Sequence, residues 1–526
     1  MTATVPGLVA RLADRPDATA LIRCREGTSR TISRGHLVQG CHSTAGALHR
    51  AGVRPGHKAV VMTRDAYDLT VVVYALCSLG AVPVLIEPRA EVRRCLQDIA
   101  PDVFVGEPPA QLGRLVLGWG RPHVRISLVT GRPLPLAPGR HLATRAPGGG
   151  VPVPQPREPG GDELAVIAFT SGSTGRPKGA EYRYATLAGQ LDALTTLLAP
   201  RPEDVLLAGF LPIAMLGPLL GLTTLVPAVN HLSPARTSPN ELVEPILKHR
   251  VTKIVASPAV LTLIAGHCAR HGIALPSVRQ ILSFGAPLRP HLAEALRKAV
   301  PDAAEILSVY GATECLPVSA IDDHDLRTSR IRPPAGQAGT CLGRPLPGVH
   351  PRIVDADPTG LGEIAVAGPT VSPAYHARPD ADAATKSVTS HGVLHRTGDL
   401  GRLDDQGRLW FLGRKAHLVT TAGSTMTTED VETAADTAPG IRRTALVGVG
   451  TAVCRLPVLC VEPMPSTPRT AALEAVRTAL RGHPEGHRID VLLLHPGFPT
   501  DPRHNSKIDR PRLADWAAKR LRRRTR

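Results

Sequence analysis

Between Val205 and Glu314 the chain switches repeatedly between short apolar runs and longer amphipathic ones, and this alternation restricts the fold more than any other feature. A period of two giving way to a period near 3.6, again and again, is the pattern of βα units laid into a parallel sheet. Thr252–Ala256 (TKIVA) predicts a buried strand, Ala259–Cys268 a helix, Val278–Ser283 a strand, His291–Val300 a helix and Glu305–Val309 another strand. An earlier α/β portion follows the same rule. Residues 36–51 have helical spacing, HKAVVM reads as a strand, and Tyr67–Leu79 as a helix before the strand AVPVLI.

After Pro345 the character changes to short alternating strands with turn signals, HPRIVD, GEIAVAG and GRLWFLG, which predict a small β-rich part. From about Gly413 the order reads helix, strand, strand, helix, strand, helix. A Pro/Gly-rich stretch between Arg132 and Asp162 has no sustained apolar period and predicts a loop. With 526 residues, 43% of them hydrophobic, the chain exceeds one ordinary domain. The expected fold class is α/β: a large N-terminal domain of parallel sheets plus the small β-rich part, residues 1–412, then a small mobile α+β domain, residues 413–526.

Several function classes drop out. The nine cysteines are scattered and never form a close C-x-x-C pair, so neither a disulfide framework nor a zinc site is expected. No secretory pattern opens the chain and no run approaches 18 apolar residues, which predicts an unexported, cytoplasmic protein without a transmembrane segment. The net charge of +17 is mostly dispersed arginine, and aromatic residues make up 3%, leaving little to stack on bases. Nucleic-acid binding is therefore not expected. The one dense basic run, Lys519–Arg526, reads as a solvated tail.

The segment that carries chemistry is LAVIAFTSGSTGRPKGAEY, Leu164–Tyr182, a predicted strand running into a glycine-rich loop. Gly172, Gly175 and Gly179 let the backbone approach a phosphate closely. The hydroxyls of Thr170, Ser171, Ser173 and Thr174 can donate to its oxygens, and Lys178 adds a compact positive charge. This reads as a polyphosphate cradle. It is not a Walker A loop, whose G-x-x-x-x-G-K-[ST] spacing is missing.

At these residues the chain resembles the adenylate-forming superfamily of acyl-CoA synthetases, luciferases and nonribosomal adenylation domains. Further motifs follow in order: Ser283-Phe284-Gly285-Ala286-Pro287 and Tyr310-Gly311-Ala312-Thr313-Glu314 each come after a predicted strand, where open parallel sheets bind ligands. The resemblance implies that the first motif and Tyr310 line an adenine pocket, that Thr313 reaches the α-phosphate of ATP and that Glu314 holds Mg²⁺. It further implies that Asp399 (HRTGDLG) and Arg414 (LGRKAH) bind the ribose hydroxyls. Lys507 (RHNSKI) would bridge the acyl carboxylate and the α-phosphate during adenylation.

Coenzyme A ligases of this superfamily follow the hinge Gly-Arg with an Asp and then a Lys at three-residue steps, where this chain has His417 and Thr420. SVYGATECLPVSAI, GTCLGRPLPGV, LHRTGDLGRLDDQGRLWFLGRKAH and RHNSKI resemble instead the OleC-type β-lactone synthetases. In that group the substrate is a 2-alkyl-3-hydroxy fatty acid whose own hydroxyl attacks the acyl adenylate. Pathway enzymes or an acyl carrier protein are the protein partners the resemblance admits. His395 and His417 are candidate bases for the hydroxyl, and Leu211–Gly217 a candidate wall of the acyl pocket. The competing readings are an acyl-CoA or acyl-carrier ligase and a non-catalytic protein built on the same fold.

Overall fold

A computed structural model describes residues 4–25, 27–86, 91–131, 139–144, 158–170, 176–229, 236–327, 339–451, 454–500 and 508–523, and of Thr170 the backbone only. They form two compact units. The first comprises Met1–Val318, Leu346–Val349 and Ala367–His395, the second Ser319–Pro345, His350–Val366 and Arg396–Arg526.

The first unit holds two sheets. In one, the strands Glu305–Ala312, Gln280–Phe284, Lys253–Ala256, Val205–Ala208, Thr223–Val226 and Thr19–Arg25 lie side by side and parallel, and Thr28–Ser33 pairs antiparallel with the last. Their apolar runs are continuous rather than alternating because both faces are covered: all of Lys253–Ala256 and Gln280–Phe284 is buried. The strand Glu305–Ala312 runs three residues beyond the predicted end, so Tyr310 and Gly311 lie within it rather than after it.

The other sheet has the order Ala374–Tyr375, Lys178–Arg183, Leu164–Thr170, Val82–Leu85, Lys58–Met62, Val103–Gly106, Ile126–Val129 and Arg140–His141. Leu164–Thr170 and Lys178–Arg183 are antiparallel, with Thr170 opposite Lys178. The helix Ala66–Ser78 is buried along nearly its whole length, and the Asp65 carboxylate caps it by accepting from the N–H groups of Tyr67 and Asp68, both at 3.1 Å. Leu211–Leu219 is also helical. It buries Ile213, Ala214 and Met215 and leaves Leu211, Pro212 and Leu216 partly or fully exposed. Of the predicted loop at 132–162, residues 139–144 and 158–162 are described, and Arg140–His141 is a short strand.

In the second unit, residues 396–403 of the strand Gly392–Leu403 and the strands Leu409–Arg414 and Thr340–Pro345, paired antiparallel through Leu409–Arg414, build the β-rich part around Ile321, Cys341, Trp410 and Leu412. Further along, Ile441–Thr451, Cys454–Pro463 and Val491–Leu494 form a three-stranded sheet. Alternation sorts its side chains: Leu446, Leu459 and Leu492 face the helices Thr428–Ala435 and Arg469–Leu480, while Ala445, Val447, Val458 and Cys460 face Arg510–Arg522. From Thr428 on, the order of helices and strands is the one read from the sequence, and the short antiparallel pair Val419–Thr420 and Thr425–Met426 before it is not.

Candidate active site

Leu164–Thr170 and Lys178–Arg183 flank the glycine-rich loop as a hairpin, so Lys178 opens the returning strand. Ser171, Gly172, Ser173, Thr174 and Gly175 lie outside the described residues, and so does Lys507. The hydroxyl of Tyr182, on the returning strand, donates to the carbonyl of Thr313. The backbone N–H of Ser372 donates to the Glu314 carbonyl at 2.7 Å, and Ser372 Oγ donates to the Glu181 carbonyl at 2.9 Å. The segment bearing Thr313 and Glu314 is thereby tied to the strand that begins at Lys178.

Gln280–Phe284 and Glu305–Ala312 are register neighbours, Phe284 opposite Val309, so Gly285-Ala286-Pro287 leave the sheet beside Tyr310. Gly285 has φ +95°, a conformation that side chains rarely adopt, and the chain turns there. Gly311 is required for space: a Cβ would lie 2.5 Å from Leu316 Cδ1 and 2.9 Å from the Cys315 carbonyl oxygen.

Around Glu314 gather two residues that motif reading does not supply, Tyr375 and Lys386. Tyr375 Oη donates to Glu314 Oε1 at 2.7 Å. The Lys178 and Lys386 ammonium groups each lie 4.9 Å from the centre of the Tyr375 ring, and the His395 ring meets it edge-on at 6.2 Å. Lys386 and His395 are cross-strand partners, and Lys386 Nζ donates to the Ser372 carbonyl at 2.7 Å. Burial pushes the Glu314 carboxyl up, but His395, the Tyr375 hydroxyl, its own backbone and Lys386 together hold it below its ordinary value, so it stays a carboxylate. Burial lowers the Lys386 ammonium despite Glu314 and Asp382 nearby, and burial raises the Tyr375 phenol.

The second unit brings Asp399 and Arg414 together. They are opposed across Gly392–Leu403 and Leu409–Arg414, with Arg414 Nε 3.0 Å from Asp399 Oδ1. Glu363 braces both strands from below: Oε1 accepts from the Gly398 N–H at 3.1 Å, and Oε2 from Arg396 Nη2 at 2.6 Å and Lys415 Nζ at 3.1 Å. An acidic residue inside the otherwise apolar, fully buried strand Gly362–Ala367 is the sequence signal that could have found it. His417 lies in the short turn Lys415–His417, where burial, Arg510 and Arg414 drop its pKa to about 3. An imidazole so depressed is a weak proton acceptor at neutral pH.

A carboxylate kept ionised, two ammonium groups on the tyrosine ring that holds it and a glycine-enforced turn after Phe284 can accommodate a polyphosphate, and an acidic–basic pair on a braced hairpin can meet vicinal hydroxyls. Residues 8–376 match the AMP-binding enzyme family. The olefin beta-lactone synthetase of Stenotrophomonas maltophilia (strain K279a) is 38% identical over 97% of this chain and 97% of its own. That of Xanthomonas campestris pv. campestris is 39% identical over 96% and 95%. Among solved structures, the amide bond synthetase McbA from Marinactinospora thermotolerans matches with a TM-score of 0.80 at 23% identity, covering 98% of this chain and 99% of its own. ATP-bound MatB from Rhodopseudomonas palustris matches with a TM-score of 0.79 at 22%, covering 98% and 99%. At such identities the structures establish the fold, and the sequence matches establish the kinship: the chain belongs to the AMP-binding enzyme family and is an adenylate-forming ligase.

Proposed function

We propose that the protein uses ATP to activate a 2-alkyl-3-hydroxy fatty acid as its acyl adenylate and then closes it to a β-lactone. The observation that carries the reading is the pairing of two features. The chain is 38% identical to an olefin beta-lactone synthetase over nearly all of both chains, and Glu314 is held as a carboxylate by Tyr375, over whose ring Lys178 sits.

In the first step a carboxylate oxygen of the acid forms a bond to the α-phosphorus and pyrophosphate leaves. Lys178 holds the departing phosphates by charge, Thr313 reaches the α-phosphate, and Lys507 screens the two anions as they meet. Gly285-Ala286-Pro287 and Tyr310 hold the adenine, and Asp399 with Arg414 the ribose. The donor set fits Mg²⁺ bound chiefly by phosphate. Glu314 offers one hard, ionised carboxylate, and no cluster of three His, Cys, Asp or Glu side chains exists among the described residues. When bound, Mg²⁺ supplies charge neutralisation on the polyphosphate.

In the second step the 3-hydroxyl oxygen bonds to the acyl carbonyl carbon, its proton goes to a base and AMP leaves. The mixed anhydride supplies the driving force against ring strain, and an intramolecular nucleophile needs no second substrate site. Residues from 413 onward serve as the lid domain, and the partly exposed Leu211 and Leu216 contribute to the acyl pocket.

The test is incubation of the purified protein with ATP, Mg²⁺ and a series of 2-alkyl-3-hydroxy acids, without any thiol, followed by mass spectrometry. A product equal to the acid less one water, formed with one AMP per lactone, is expected. AMP release that depends on added coenzyme A, with a thioester as product, would replace this reading by the acyl-CoA ligase. Absence of pyrophosphate release with every acid would favour the non-catalytic protein.

A further inference from the structure

We infer that Tyr375 is a positioning residue that fixes Lys178 and Glu314 relative to each other, holding the phosphate-binding lysine through its ring and the metal-binding carboxylate through its hydroxyl. The inference rests on the roles proposed above for Lys178 and Glu314 and adds the part that joins them.

Tyr375 is itself rigidly held. It is 4% exposed, its backbone pairs with Ala180 two residues beyond Lys178, and its N–H donates to Asp382 Oδ1 at 2.9 Å. From that fixed seat its hydroxyl reaches Glu314 Oε1 at 2.7 Å, across 61 residues of sequence. The ring has two ammonium groups at 4.9 Å, those of Lys178 and Lys386. The second is also tied elsewhere, to the Ser372 carbonyl at 2.7 Å. A lysine has four rotatable side-chain bonds, and its ammonium otherwise wanders in water. An aromatic face restricts that wandering without neutralising the charge, which a carboxylate partner would do. The arrangement holds the Lys178 ammonium at one face of the ring while the hydroxyl engages Glu314 through Oε1. Two cations and one anion arranged on a buried aromatic scaffold constitute a preorganised site, which does not have to reorder as charge shifts during the reaction.

The two functions of Tyr375 separate by substitution. Tyr375→Phe keeps the ring and deletes the hydroxyl, and Tyr375→Leu deletes both. Measurements on the full chain are the ATP affinity by calorimetry in EDTA and in Mg²⁺, and the Mg²⁺ concentration giving half-maximal pyrophosphate exchange. In Tyr375→Phe, ATP affinity in EDTA stays at the parent value, while the Mg²⁺ requirement rises about tenfold, the usual cost of removing a group that orients a metal ligand. In Tyr375→Leu, the affinity in EDTA falls as well, by the same factor as in Lys178→Met, and the double variant Tyr375→Leu/Lys178→Met falls no further.

A Tyr375→Phe protein with the parent's Mg²⁺ requirement overturns the hydroxyl's role, and since this variant is near-isosteric its folding, checked by thermal melting, keeps the test decisive. Additive losses in the double variant overturn the ring's role. If the parent protein needs no Mg²⁺, or Lys178→Met binds ATP normally, the assignments of Glu314 and Lys178 fail first and the inference with them. A Mg²⁺-dependent, Lys178-dependent parent with indifferent Tyr375 variants removes the inference alone.

Discussion

Glu363 accepts a hydrogen bond from the backbone N–H of Gly398 at 3.1 Å, one residue before Asp399. Its other oxygen takes Arg396 and Lys415, the latter adjacent to Arg414, so a single buried carboxylate clamps the two strands from which the Asp399–Arg414 pair projects. Glu363→Ala leaves the Gly398 N–H without its acceptor and Arg396 with only the exposed Asp355. A loss of about 1–3 kcal/mol is expected, discounted toward the lower end because Lys415 is half-exposed. Thermal unfolding measures it. A second readout is specific to the proposed ribose role: discrimination between ATP and 3′-deoxy-ATP shrinks in Glu363→Ala. A variant that melts earlier but discriminates as the parent does would leave Glu363 a purely structural residue.

Gly311 stands where the strand carrying Tyr310 runs into Thr313 and Glu314. A methyl group there meets the Cys315 carbonyl at 2.9 Å, and a backbone atom cannot swing aside as a side-chain terminus can. Gly311→Ala is expected to cost about 1–3 kcal/mol as overpacking and to displace the strand end. Pyrophosphate exchange should fall by far more than the fraction of unfolded protein accounts for. Normal exchange in a folded Gly311→Ala protein would show that this strand end tolerates movement.

The parts of this site legible in the sequence are those in which chemistry and chain direction coincide. Thr252–Ala256 and Val278–Ser283 declare themselves as strands by their short runs of β-branched residues and leucine, and the motif that begins at Ser283 stands at a strand end. Tyr375, Lys386 and Glu363 are different. Tyr375 and Glu363 act on residues 61 and 35 positions away, and Lys386 acts across a strand pair, through registers that no local pattern specifies. Lys386 sits in an unremarkable ATKSV, and its meaning arises only because Lys386–Thr389 folds back on Gly392–Leu403 and sets it opposite His395. The extension of Glu305–Ala312 past Val309 is not legible for a related reason: Tyr310, Gly311 and Ala312 carry no strand period, yet they continue the strand.

Arg510 anchors the chain three residues after Lys507. Its Nη1 and Nη2 donate to Glu432 at 2.6 and 2.7 Å, and Nη1 also donates to the Leu446 carbonyl at 2.9 Å. Glu432 is 1% exposed, so Glu432→Ala strands a largely buried guanidinium and is expected to cost about 3–5 kcal/mol, read by chemical denaturation. Lys507→Ala should act differently. It is expected to slow adenylation sharply while ATP affinity and unfolding midpoint stay near those of the parent, and an unchanged adenylation rate would remove the role assigned to Lys507.

His417 makes the stability of the second unit pH-dependent, with a definite sign. Its pKa of about 3 in the folded protein lies well below the ordinary 6.5, because burial and the charges of Arg510 and Arg414 oppose the imidazolium. Between those two values the unfolded chain binds a proton that the folded chain refuses, so stability falls as pH is lowered through that window and is flat with respect to this group above it. The slope from one such residue is at most about 1.4 kcal/mol per pH unit. His417→Gln removes the titration and keeps a polar side chain of similar reach. Its unfolding midpoint should drop less steeply than the parent's between pH 6.5 and pH 4, the two curves running parallel at pH 7 to 8. Denaturant titrations at half-unit pH intervals measure this directly. Curves that stay parallel down to pH 4 would mean that the imidazole gains its proton in the folded state at little cost, despite the two neighbouring arginines.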